Sequence, residues 1–279
     1  MYKSLLVLLF VLGVVQSGLA QASLLIYPTR VTFDEKDRSQ QVTLTNTSQT
    51  TNTYRLEWRE KRALREGGYD DIAAEEAKDL PVSSNMIRFS PRQVTLKPGE
   101  RQVVRLALRR PRNLEVGEYR SHLMFKALPP NEEEKEESSP SLNIRMVISF
   151  AIPVVVREGA LDASLQLKSA EIVYNPATES GTVHASIKRD GPHSLWGNLS
   201  AFWTPAGSDE QVLIAKLGEY SLWAELEQIN AKLIWAEAPF VPSDGTLHIR
   251  YDGVRDFHGT TYIDEKIPLS KSDIKVVTE

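Results

Sequence analysis

Between residues 23 and 157 the chain runs in short alternating apolar and polar segments separated by turn signals. The longest is Leu142–Arg157, in which Ile144, Met146, Ile148, Phe150 and Ile152 fall at every second position. That spacing puts all five side chains on one face of a strand. The opposite row begins polar with Asn143 and Arg145, then turns small or apolar at Val147, Ser149, Ala151 and Val155. Earlier strands are predicted at Ser23–Phe33, where Pro28 implies a bend or a switch between sheets, and at Gln40–Asn46 and Tyr54–Lys61. Met86–Pro91, Gln93–Leu96, Gln102–Arg109 and Tyr119–Leu128 follow, with a Pro-Gly turn at Lys97-Pro98-Gly99-Glu100. About seven short strands over about 130 residues point to an antiparallel sandwich of immunoglobulin type.

After a hinge-like Arg157-Glu158-Gly159-Ala160 the pattern starts again, with strands predicted at Ala163–Val173, Gly181–Arg189, Gly197–Trp203, Gln211–Ala215, Ala231–Ala236, Thr246–Tyr251 and Thr261–Pro268. Tyr220–Leu233 fits either element, since Leu222, Leu226, Ile229 and Leu233 also suit one face of a helix. Two charged stretches, Arg65–Leu80 and Asn131–Pro140, read as mobile loops. The expected organisation is a leader over 1–22 and two all-β domains over 23–157 and 158–279.

Composition narrows the chemistry. Of 279 residues, 41% are apolar and 25% charged, enough for ordinary cores. A net charge of −4 gives no basis for nucleic-acid binding. Met1–Ala22 carries Lys3, an apolar run Leu5–Val15 too short for a typical membrane span, and Ala20-Gln21-Ala22 as a cleavage signal. The expectation is an exported protein without membrane insertion after cleavage before Ser23. There is no cysteine, which excludes disulfides, thiol catalysis and cysteine-ligated metal. His122, His184, His193, His248 and His258 lack metal-ligand spacing, and there is no nucleophile elbow or phosphate loop. No enzyme activity, cofactor or metal is expected. Trp196, Trp203, Trp223 and Trp235 alternate with apolar residues and read better as core than as a sugar-binding face.

Two features stay open on the residues alone. Arg30 interrupts an apolar strand, so it is either a surface arginine on an edge strand or a charge solvated or paired in a cleft. The apolar row of Leu142–Arg157 either belongs to the domain's own core or is kept for another chain's strand.

The motifs in order decide between these readings. Tyr27-Pro28-Thr29-Arg30-Val31-Thr32-Phe33, Thr43-Leu44-Thr45-Asn46, Phe89-Ser90-Pro91-Arg92, Leu96–Arg105, Gly117-Glu118-Tyr119-Arg120 and Ile152–Arg157 together resemble the periplasmic pilus-assembly chaperones of the PapD-like family, over Ser23–Arg157. Later in the chain the resemblance rests on Tyr251-Asp252-Gly253 and Ile267-Pro268-Leu269. It implies two immunoglobulin-like β-sandwich domains set at an angle with a cleft between them. It implies that Arg30 anchors a subunit's C-terminal carboxylate in that cleft, where a planar guanidinium suits bidentate pairing. It further implies that Leu142, Ile144, Met146 and Ile148 are donated to a pilin lacking its own seventh strand, and that an outer-membrane usher receives the complex from the periplasm. Self-capping oligomers would hide the exposed row. One position departs from the family: where it carries a second, lysine anchor, this chain has Pro153, which also lacks a backbone donor and should interrupt ladder pairing. The alternatives are a secreted structural or adhesive sandwich protein, or a carbohydrate-binding module using the tryptophans.

Overall fold

The computed structural model describes residues 24–73, 75–129, 148–236 and 239–277. The first domain contains β1 (Leu24–Tyr27), β2 (Val31–Phe33), β3 (Ser39–Asn46), β4 (Asn52–Arg59), β5 (Lys61–Ala63), β6 (Tyr69–Asp71), β7 (Ile87–Ser90), β8 (Gln93–Leu96), β9 (Arg101–Leu108), β10 (Gly117–Leu128) and β11 (Phe150–Glu158). Two sheets, in the orders β1-β3-β9-β7 and β2-β11-β10-β4-β8, face each other. Their alternate residues, among them Phe33, Leu44, Tyr54, Leu106, Leu123, Phe125 and Val154, fill the space between. Pro28 does mark a switch: β1 pairs antiparallel with β3, whereas β2 crosses to the other sheet and runs parallel to β11.

The second domain contains β12 (Ser164–Asn175), β13 (Ser180–Asp190), β14 (Leu195–Pro205), β15 (Val212–Leu222), β16 (Gln228–Trp235), β17 (Gly245–Gly253), β18 (Thr261–Leu269) and β19 (Lys275–Val276). They form one hydrogen-bonded sheet in the order β18-β17-β14-β15-β16-β13-β12-β19. The sheet curls until β12 meets β18 across the core. Irregularities at Leu167/Ser169, Gly197/Leu199 and Ala201/Phe202 supply the bending. Ile187, Leu195, Leu199, Leu247 and Tyr251 are fully buried inside the curl.

Four sequence expectations change. The helical option for Tyr220–Leu233 is not realised: the segment ends β15, turns and enters β16, because Ile229, Ala231 and Leu233 point inward at period two. Arg65–Leu80 is not a free loop. It holds β6, which pairs with β5, and a short 3-10 turn that buries Ala77. Pro153 does not interrupt the β10–β11 ladder, whose register runs unbroken from Gly117↔Glu158 to Phe125↔Phe150. On the other side, pairing with β2 begins at Val154↔Val31, one residue beyond Pro153, so no β2 partner is left without a donor. Finally, the described part of the Leu142–Arg157 strand begins at Phe150, with Ile148 and Ser149 outside regular structure.

Candidate functional site

The outer face of the β2-β11-β10 sheet looks toward the second domain. Strand register aligns Thr32, Val155 and Arg120 across β2, β11 and β10, and Pro153 with His122 one step along. Arg30 immediately precedes β2, whose first residue Val31 pairs with Val154, the residue after Pro153. It is not a surface arginine. Only 5% of it is exposed, and all its polar partners come from the second domain. Its Nη2 donates to Ser194 Oγ at 2.9 Å and its Nη1 to Ser221 Oγ at 3.1 Å. The guanidinium lies 5.1 Å from the Trp196 ring centre and 4.7 Å from that of Trp223, within cation–π range of both. Arg30 forms no ion pair among the described residues, and its buried Nε–H has no acceptor. Burial first, and the charge of Arg157 as well, lower its pKa to about 10, with Glu118 acting in the opposite sense.

Glu118 reaches Arg30 through Ser194, whose hydroxyl donates to Glu118 Oε2 at 2.8 Å while accepting from Arg30. Arg157 Nε donates to the same carboxylate oxygen at 3.4 Å, and its Nη1 donates to Asp256 Oδ2 at 3.2 Å. The Arg157 guanidinium also covers the Phe257 ring, 4.9 Å away. Arg30, Ser194, Glu118, Arg157 and Asp256 thus form one chain of polar contacts crossing the domain boundary three times. Gly197, in β14 one residue after Trp196, is required by close approach, since a Cβ there would lie 2.6 Å from Asp252 O and 2.7 Å from the Tyr251 ring.

Beside Pro153 lies His122, only 2% exposed and with neither ring nitrogen hydrogen bonded. Burial, followed by the charges of Arg120 and Lys61, lowers its pKa to about 3. The ring meets Tyr69 edge-on, with centres 4.9 Å apart. The Tyr69 hydroxyl in turn accepts the Trp223 indole N–H at 2.9 Å. Arg120 stacks over Trp223 at 4.2 Å and pairs with Glu225 at 2.5 Å.

Of the residues singled out from sequence, Arg30 lies in this interdomain cluster. Ile148 is 51% exposed at the edge of β11. Leu142, Ile144 and Met146 lie outside the described residues, as do the leader 1–22 and the charged run 131–140. Trp196, Trp203 and Trp223 are buried, so none offers an open sugar-binding face. Among the described residues no group of histidines and carboxylates could hold a metal ion. Sequence reasoning missed Ser194, Ser221 and Tyr69 as neighbours of Arg30. Glu118 and Arg157 carried a signal, within Gly117-Glu118-Tyr119-Arg120 and Ile152–Arg157, and Trp196 and Trp223 were read as core.

Comparisons with known proteins bear on this arrangement. Residues 23–161 match the model of the pili and flagellar-assembly chaperone family, PapD N-terminal domain. No curated protein matches the chain. Similar solved structures include the Salmonella enterica SafB chaperone in complex with the SafA pilin, at 15% identity and a TM-score of 0.48, covering 90% of this chain and 98% of that one. The Acinetobacter baumannii CsuC–CsuE chaperone–tip subunit complex gives 15% identity and a TM-score of 0.45, covering 92% and 100%. The Pseudomonas aeruginosa CupB2 chaperone gives 14% identity and a TM-score of 0.44, covering 88% and 100%. By the match over residues 23–161 the chain belongs to the PapD-like pili and flagellar-assembly chaperones, a non-enzymatic family.

Proposed function

We propose that this chaperone acts in the periplasm, stabilising pilus or fimbrial subunits by donor-strand complementation before an outer-membrane usher takes them over. The boundary between its two domains is placed at 157/158, with a leader over 1–22. Leu142, Ile144, Met146 and Ile148 form the donated row, and Arg30 holds the subunit's terminal carboxylate. Strand addition satisfies backbone groups along a subunit edge, while alternate side chains supply fit. Four aliphatic side chains transferred from water contribute roughly 6–12 kcal/mol before ordering and association costs. Register matters because a slip of one residue would present the Asn143/Arg145 row instead. A carboxylate fixed at Arg30 would prevent that slip.

The observation that supports this most is Arg30 itself. A guanidinium buried between two indoles, hydrogen bonded among the described residues only to hydroxyls and with an unused Nε–H, is short of an anionic partner there. Exposure of Ile148, two residues before β11, accords with a row available to another chain. Co-purification from periplasm tests the reading. The wild-type protein should bring down a small β-rich subunit, and Ile144→Asp combined with Ile148→Asp should lose it while remaining folded. Undiminished capture by the double variant would refute the donor-strand role.

A further inference from the structure

The Arg30 cluster is closed in the free protein, and one element closes it. The β5–β6 hairpin crosses from the first domain to the second. Its β5 stem is held by Arg120 Nη2 donating to Lys61 O at 2.9 Å and by Ala63 N–H donating to Glu225 Oε1 at 3.1 Å. Its tip is held by the second domain, where Asn230 N–H donates to Arg65 O at 2.7 Å and Asn230 Nδ2 to Glu66 Oε1 at 3.3 Å. Gly67 and Gly68 turn the tip with φ of 94° and 82°, values a side chain resists. Tyr69 then returns over His122 and takes the Trp223 indole N–H, fixing that indole against Arg30. The underside is not packed solid. A cavity of about 460 Å³, lined in part by Lys61, Ala63, Ile72, Arg120 and Glu225, lies between the hairpin, β10 and the second domain.

We propose that the Lys61–Asp71 hairpin is a lid on the anchor site: Tyr69, through Trp223, keeps Arg30 and His122 shut off from carboxylates until the tip lifts from the second domain. The unused donors fit this. Arg30 Nε and both His122 nitrogens are buried without partners on the two sides of Pro153, so lifting Tyr69 uncovers a cation and a neutral ring together. An incoming carboxylate would pair with Arg30 in the plane of the guanidinium and take a neutral N–H from His122. The tip is the part able to move, since a two-stranded ribbon with three residues per strand has little stability of its own.

This proposal rests on Arg30 being the carboxylate anchor, but its test reads access to Arg30 without any subunit. Phenylglyoxal condenses with accessible guanidinium groups, and mass spectrometry reports the rate at each arginine. An open state populated at about 1–10% would slow modification of Arg30 roughly ten- to hundredfold. Tyr69→Ala should remove most of that protection. Arg157, equally buried but packed on Phe257 away from the hairpin, should keep its wild-type rate. A disulfide between Arg65→Cys and Asn230→Cys, whose backbones are hydrogen bonded, should slow Arg30 further until reduced, in a chain with no other cysteine. Equal Arg30 rates in wild type and Tyr69→Ala would overturn the lid. So would a parallel rise at Arg157, which would indicate general loosening.

Discussion

His122 shows how far its surroundings set the chemistry of a single side chain. In an unfolded chain its ring takes a proton near pH 6.5, but in the fold only near pH 3, because burial and the neighbouring Arg120 and Lys61 oppose the charge. Between those values the unfolded state binds more protons, so stability is fully present above pH 6.5 and falls as the pH is lowered through the window. By pH 4 the loss from this group is about 3 kcal/mol. His122→Gln cannot titrate, so urea denaturation at pH 7 and pH 4 should show a fall smaller by that amount than in wild type. An equal fall would place the acid sensitivity elsewhere. Arg30 was conspicuous in the sequence because a charge stood in an apolar strand. Its partners were not, since Ser194 and Ser221 lie 164 and 191 residues away and nothing local distinguishes them from other serines.

At the scale of elements, period-two patterning located most strands, because one face of each packs on a core that accepts only apolar side chains. Pro28 marked the sheet switch for a similar reason, as a residue without a donor seldom continues a ladder. The pattern was silent where the deciding contacts are distant. Arg65–Leu80 is charged and looks like loop, yet it is ordered by Asn230 and Trp223 of the other domain. Tyr220–Leu233 satisfied two periods at once, and the curled sheet selected the strand. The alternating row divides sharply where β11 begins. Ile148 is half exposed and Ile152 is 4% exposed within the core, although both belong to one alternating row. Ile148→Asp should therefore leave stability within about 0.5 kcal/mol of wild type, whereas Ile152→Asp should cost about 3 kcal/mol or more. Thermal unfolding of the two variants checks this, and equal losses would contradict a division of the strand into a free end and a core end.

For the whole molecule, the domains are joined by the polar chain through Glu118 rather than by a large apolar contact. Among the described residues the buried apolar cluster spanning them is Ala63, Val155 and Trp223. Removing Glu118 takes from buried Arg157 its one buried carboxylate among the described residues, leaving it the exposed Asp256 and Asp34, and takes the acceptor from Ser194. Glu118→Ala should therefore cost about 3–5 kcal/mol, while Asp256→Ala, at a 46% exposed carboxylate, should cost under about 1 kcal/mol. Chemical denaturation separates them, and similar effects would mean that the chain is not the joint. A cleft held by such a joint keeps Arg30 at a fixed distance from the start of β11, as the proposed setting of strand register requires. The most direct test is hydrogen exchange at residues 142–148 with and without a purified pilus subunit. Strand donation predicts strong new protection of these amides on binding, lost together with affinity in Ile144→Asp/Ile148→Asp. A subunit that binds tightly while leaving exchange in 142–148 unchanged would contradict the account.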